Sequence, residues 1–198
     1  MNIAVFASGR GTNFGAIIRA VKKGSIKANL ALLVSDSPKA GAIGRAKRAG
    51  VKVEVVKKQD FSSQKDFENK IIEHLDAEKI DLIVLAGFMR LLGPELIRRY
   101  KDRILNIHPA MLPCFKGAHG IEDAFNYGVK VTGVTVHFVD EMDHGPIILQ
   151  EAVQIKETDT LESLEARVHK LEHEIYPRAI ALFIEGKLEI RGRKVKIL

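Results

Sequence analysis

Cysteine occurs once in the 198 residues, at Cys114, and tryptophan does not occur at all. A single cysteine excludes an intrachain disulfide framework and fits a reducing compartment. Aromatic residues make up only 6% of the chain, so the stacking platforms that single-stranded nucleic acid needs are scarce. No apolar run approaches the ~20 residues that cross a bilayer. The opening MNIAVFASGRG is apolar too briefly for a signal peptide, because a glycine and an arginine interrupt it where an apolar core should persist. Internal repeats, low-complexity tracts and linkers are missing too. A cytoplasmic protein with no membrane partner is the expectation. The formal charge of +6 favours anionic partners. Its lysines and arginines are scattered through AVKKG, GRAKRAG, IRRYK and RGRKVK among acids, so a small anionic substrate is expected, with no nucleic acid. At this length, one domain over residues 1–198 with a sizeable core is the simplest organisation.

The first half alternates apolar runs with helical patterns. NIAVFA, NLALLVSD, VKVEVV, IDLIVLAG and RILNIH read as strands. Between them, FGAIIRAVKKG spaces Phe14, Ile17, Ile18 and Val21 on one helical face, and KAGAIGRAKRAG is a glycine-weakened helix. SSQKDFENKIIEHLDAEK lines up Phe67, Ile71, Ile72 and Leu75, and GPELIRRYK is a short helix. Apolar strands separated by helices argue for a fold of the α/β class, an open, doubly wound and mostly parallel sheet. The C-terminal half adds an antiparallel pair, VKVTGVTVHFVD and GPIILQEAVQI. A long helix follows, with Asp159 and Glu162 spaced as a capping box and Leu161, Leu164, Val168, Leu171 and Ile175 as its buried stripe. Pro177 is expected to kink or interrupt it, and KLEIRGRKVKIL to close as a hairpin around Gly192.

Ligands of such sheets bind outside the carboxyl ends of the strands. Three polar clusters fall there: SGRGTN, GFMR and NIHP. SGRGTN sets Gly9 and Gly11 at a strand-to-helix turn, where backbone N–H groups favour an anion. A dinucleotide fingerprint is incomplete, because Phe14 stands where the third glycine belongs, although Asp36 ends the second strand. No GK[ST] follows, so a Walker A loop is absent. A single phosphate on a small substrate is the functional reading, and a turn without ligand is the alternative. In ILNIHPAMLP, side chains alternate, so Asn106 and His108 share one side with Ile107 opposite. Pro109 and Pro113 then force the backbone out of the sheet. An amide and an imidazole on a rigid mount suit acyl chemistry, and a structural turn is the alternative.

ILNIHPAMLP, with LAGFMRLL before it and VTGVTVHFVDEMDHGPIILQ after it, resembles the folate-dependent formyltransferase superfamily. The likeness runs from MNIAVFASGRGTN to EHEIYP with motifs in the same order, and is strongest to the branch acting on 5-phosphoribosylglycinamide. It implies a Rossmann-like formyltransferase fold, with residues 1–100 as a phosphate-binding half and 101–198 as a catalytic and folate-binding half. The implied reaction moves a formyl group from 10-formyltetrahydrofolate, a co-substrate, to the amine of 5-phosphoribosylglycinamide in purine biosynthesis, without a metal. By the same resemblance Gly11, Thr12 and Asn13 hold the substrate phosphate, and Glu172 binds the glycinamide part. Gln64, Met89, Arg90, Leu91, Leu92 and Asn106 belong to the folate pocket, and Asn106, His108 and Asp143 are catalytic. A carboxylate beside an imidazole favours its cation, the role that falls to Asp143. Two departures stand out. Gln64 replaces an arginine that relatives often place against folate, and VDEMD is about one residue shorter than in relatives. Self-association as a homodimer stays open.

Other readings are weaker. HKLEH matches HxxEH, yet little chain follows His173 to supply a third ligand, so zinc is not expected. Cys114 as a nucleophile has no sign of activation. His119 matches a family loop histidine, His137 reads as a structural strand residue, and His74 as solvent-facing. Phe88 and Met89 would pass as plain core without the resemblance. Among relatives, a methionyl-tRNA formyltransferase would need a further C-terminal domain and a formyltetrahydrofolate hydrolase an N-terminal regulatory one. A nucleotide-binding module built on SGRGTN and Asp36 would leave Asn106, His108 and Asp143 without a purpose.

Overall fold

Strand β1 (Asn2–Phe6) is apolar after its first residue, and Ile3, Ala4, Val5 and Phe6 are all fully buried, as a strand covered on both faces must be. The computed structural model describes residues 1–140 and 145–198, and the chain divides into two units, Met1–Leu105 and Asn106–Leu198.

In the first unit the chain runs β1, α1 (Thr12–Lys22), β2 (Asn29–Ser35), α2 (Gly41–Ala49), β3 (Lys52–Val55), α3 (Gln64–Ala77), β4 (Leu82–Leu85) and α4 (Pro94–Arg99). β1 pairs in parallel with β2 on one side and β4 on the other, and β2 pairs in parallel with β3. The order β3-β2-β1-β4 therefore reverses direction between β1 and β4, which is the topological switch point of this half. The helices form where their apolar spacing allows burial. α3 starts at Ser63, whose hydroxyl accepts the Asp66 N–H, and buries Phe67, Ile71 and Leu75. Each fully buried side chain of this size contributes about 1.5–3 kcal/mol. His74, expected in solvent, is instead half-buried, with Nδ1 3.5 Å from the Glu54 carboxylate on β3.

Strand β5 (Ile104–His108) begins in the first unit and ends in the second. The second unit continues with α5 (Gly120–Tyr127), β6 (Val131–Phe138), β7 (Ile147–Gln154), α6 (Leu161–Ile184), β8 (Leu188–Arg191) and β9 (Lys194–Ile197). β6 and β7 are antiparallel, as are β8 and β9 around Gly192. β9 meets β7 in parallel at Lys194 and Ile147. The fold is α/β, parallel in its first half with antiparallel strands added in its second. Among the described residues, no helix is long and apolar enough to cross a membrane.

Three expectations for this half need correction. α5 has no counterpart in the sequence reading, because its eight residues carry only two full helical turns of pattern. The N-cap of α6 is Thr160, which forms the capping box with Ser163, so Asp159 and Glu162 do not form it. Asp159 instead receives a two-pronged pair of hydrogen bonds from Arg167. Pro177 does not interrupt α6. A proline inside a helix costs about 3 kcal/mol or more, and the full burial of Tyr176, Ala179 and Ile180 around it outweighs that cost.

Candidate active site

At the switch point, the segments after β1 and β4 are stitched to each other. Ser8 N donates to Gly87 O at 3.0 Å, and Met89 N donates to Ser8 Oγ at 2.9 Å. The SGRGTN turn and the residues 89–92 expected to line a folate pocket are therefore neighbours. Gly11 is the N-cap of α1 with φ of 68°, and a Cβ there would sit 2.7 Å from Ala42 Cβ, so glycine is required twice over. Thr12 and Asn13 open the helix, where its unpaired N–H groups suit an anion.

Across from this turn, Met89 and Leu91 leave 64% and 63% of their surface in solvent. Apolar side chains standing out of the core at a switch point provide a platform for a flat apolar ligand, which corrects the alternative that Met89 is plain core. The backbone beneath them is fixed from α3. Gln64 Nε2 donates to Leu91 O at 3.3 Å and to Glu68 Oε1 at 2.6 Å, and the buried Glu68 carboxylate also accepts from Gly93 N. Gln64 thus grips Leu91 through its own amide nitrogen and Gly93 through Glu68. Arg90 turns away to Asp36, with Nε donating to Oδ2 at 2.7 Å. That ion pair occupies one oxygen of the carboxylate that a dinucleotide ribose would need.

The second unit holds the amide and the imidazole. Ile107 is buried opposite them, as strand alternation requires. Asn106 is partly exposed, and its Nδ2 donates to His137 Nε2 at 3.2 Å. His137 Nδ1 lies 2.7 Å from Phe138 O. A carbonyl can only accept, so Nδ1 carries the hydrogen and Nε2 of the neutral ring is the acceptor that orients Asn106. His108 is buried to 3% exposure, and its Nε2 donates to Phe115 O at 2.7 Å, which sets the plane of its ring. The segment between them, 110–113, is tied down by Thr135. Its hydroxyl donates to Ala110 O and accepts from Leu112 N, while Gln150 Nε2 donates to both Thr135 Oγ1 and Leu112 O. Gly133, two residues back on the same side of β6, makes room for Met111: a Cβ there would meet its sulfur at 2.5 Å. The strand that Pro109 and Pro113 terminate is thus continued as a loop held by side chains of β6 and β7.

Sequence reasoning placed His137 correctly as a structural strand residue but did not foresee its contact with Asn106, and it missed Thr135, Gln150 and Glu68. A signal existed for two of these four, since VTGVTVHF carries Thr135 and His137 at period two on a strand buried from Thr132 onward. Buried polar groups on such a strand need partners.

Glu172 lies on the buried stripe of α6, and His169 Nδ1 is 2.7 Å from its carboxylate. Asp143 and His144 lie outside the described residues. His119 is exposed at the start of α5, with Nδ1 3.6 Å from Glu122, and Cys114 is exposed. Among the described residues no group of three or more histidine, cysteine or acidic side chains is arranged to hold a metal ion.

The features gathered on these two units recur in known proteins. The chain is 47% identical over 192 residues to phosphoribosylglycinamide formyltransferase of Bacillus subtilis, covering 96% of this chain and 97% of that protein. It is 40% identical over 191 residues to the trifunctional purine biosynthetic protein adenosine-3 of Gallus gallus, covering 96% of this chain but 19% of that longer protein. The crystal structure of glycinamide ribonucleotide transformylase 1 from Symbiobacterium toebii superposes with a TM-score of 0.97 at 45% identity, covering 100% of this chain and 94% of that one. A model of the formyl transferase family matches residues 1–180, a stretch that takes in the glycine turn, the exposed Met89 and Leu91, and the Asn106–His108 strand. The chain belongs to the formyl transferase family.

Proposed function

We propose that this chain transfers the formyl group of 10-formyltetrahydrofolate to the amine of 5-phosphoribosylglycinamide, a step of de novo purine (IMP) biosynthesis. The observation that carries the reading is the mounting of Asn106 and His108 on one side of β5, each oriented by its own partner, His137 and Phe115. The 47% identity to the Bacillus subtilis enzyme over nearly both full lengths supports the choice of acceptor. The exposed, lone Cys114 fits a cytoplasmic setting.

Each residue has a task in this mechanism. Gly11, Thr12 and Asn13 take the substrate phosphate through the first turn of α1. Met89, Leu91 and Leu92 supply the apolar wall for the folate, with Arg90 at its edge and Gln64 holding the wall's backbone. Glu172 binds the glycinamide portion. When the neutral amine attacks the formyl carbon, charge builds on the formyl oxygen. The Asn106 amide nitrogen has two hydrogens, one directed at His137 and the other assigned to that oxygen. His108, in its protonated form, places positive charge beside it. Asp143 is assigned to support that cation. Proton transfer from the attacking amine to the departing folate nitrogen completes the step, and no bond to the enzyme forms.

An absorbance assay of folate deformylation, with and without 5-phosphoribosylglycinamide, tests this. Turnover that needs the acceptor is expected. Deformylation at the same rate without it would identify a hydrolase instead.

A further inference from the structure

The glycine turn assigned to the substrate phosphate is held from behind by α2. Two successive carbonyls of SGRGTN accept hydrogen bonds from that helix: Gly9 O from Ala42 N at 3.2 Å, and Arg10 O from Arg45 Nε at 3.0 Å. The peptide bonds that follow these carbonyls are trans. In a trans peptide the carbonyl and the next N–H point in opposite directions, so the N–H groups of Arg10 and Gly11 are aimed away from α2. Gly11 is buried, yet none of the described residues accepts from its N–H. A buried amide of this kind calls for an acceptor, and a phosphate on the turn supplies one.

The Ala42 contact runs from backbone to backbone and does not depend on the side chain there. The Arg45 contact belongs to one side chain, thirty-five positions from Arg10 in sequence. Two features keep the guanidinium on that carbonyl. Position 15 on α1 is a glycine, and a Cβ there would stand 3.0 Å from Arg45 Nη1. Neither α1 nor α2 contains an acidic residue, so no carboxylate of these helices draws the guanidinium away. We propose that Arg45 is a positioning residue for the phosphate end of the acceptor: by holding Arg10 O it presets the direction of the Gly11 N–H before the substrate arrives. The assignment rests on the formyl-transfer reading, with the phosphate on the first turn of α1.

The test compares 5-phosphoribosylglycinamide with the same glycinamide riboside lacking its phosphate, in the wild type, Arg45→Met and Arg45→Lys. Arg45→Met keeps a long side chain of good helix propensity and removes the donor. It is expected to raise the KM for 5-phosphoribosylglycinamide about tenfold, the scale of one lost charge-assisted hydrogen bond, while kcat and the KM for the folate donor stay within about twofold of wild type. The kcat/KM for the unphosphorylated riboside is expected not to change, which a general loosening of α2 would not allow. Arg45→Lys keeps a cationic donor and recovers part of the loss. An unchanged KM for 5-phosphoribosylglycinamide in Arg45→Met, or equal losses with the two acceptors, would overturn the proposal. Calorimetric titration with ribose 5-phosphate reads the turn without turnover. Weaker binding by Arg45→Met, in a protein that transfers no formyl group, would keep the positioning role and remove the reaction. Equal binding by Arg45→Met and the wild type would remove the role of Arg45 even where formyl transfer is observed.

Discussion

His137 and Asn106 are thirty-one positions apart in sequence and hydrogen-bonded in space, and the difference between those two facts decides what a sequence can reveal about this site. The shared side of Asn106 and His108 follows from the two-residue period of a strand and was readable directly. Their orienting partners were not, because the contact depends on which strand lies alongside. Two predictions belong at this scale. His108→Ala lowers kcat by about 10²- to 10⁴-fold with an unchanged circular dichroism spectrum, as loss of a group acting on the reacting atoms should. Steady-state rates near wild type would remove His108 from the mechanism. His137→Leu removes the ring nitrogen that accepts from Asn106 Nδ2 and lowers kcat roughly 10- to 100-fold while changing KM little. His137→Gln presents a carbonyl that still accepts, and recovers part of the loss; equal defects in both variants would reduce His137 to a packing role.

Helices and strands were legible where apolar spacing was strong, as in α1 and α3, and were misread where polar residues compete for the same role. Asp159, Thr160, Glu162 and Ser163 all have side chains suited to an N-terminus, and only the observed geometry assigns the cap to Thr160. Asp159 is free to pair with Arg167, whose hydrogen bonds hold the Asp159 carboxyl well below the usual carboxylate range. In the unfolded chain that group titrates near about 3.9. The pair's contribution to stability is therefore complete above that value and declines as pH falls toward the depressed folded value. Asp159→Asn should lower the urea midpoint at pH 7, with the gap to wild type shrinking as the pH is taken below about 4. A gap that does not depend on pH would mean the carboxylate's charge contributes nothing. In β6, Gly133→Ala places a methyl 2.2 Å from Glu151 O and against Met111. Destabilisation of about 1–3 kcal/mol or more follows from such overpacking, read as an earlier unfolding midpoint.

For the molecule as a whole, composition narrowed the field and topology located the chemistry. Scarce aromatics and scattered basic residues pointed to a small anionic substrate. The strand order β3-β2-β1-β4 places its reversal where the glycine turn and residues 89–92 meet, so the position of the first half-site follows from connectivity. The place of the SGRGTN turn at that end of the sheet was readable from the sequence, whereas the grip of Gln64 and Glu68 on residues 91–93 was invisible, because it depends on the pitch of α3 against a loop. The most direct test of the central claim follows the formyl carbon itself. With donor labelled at that carbon and 5-phosphoribosylglycinamide present, the label is expected on the glycinamide nitrogen in step with donor consumed. Release of the label as free formate, with the amine left unmodified, would contradict the account.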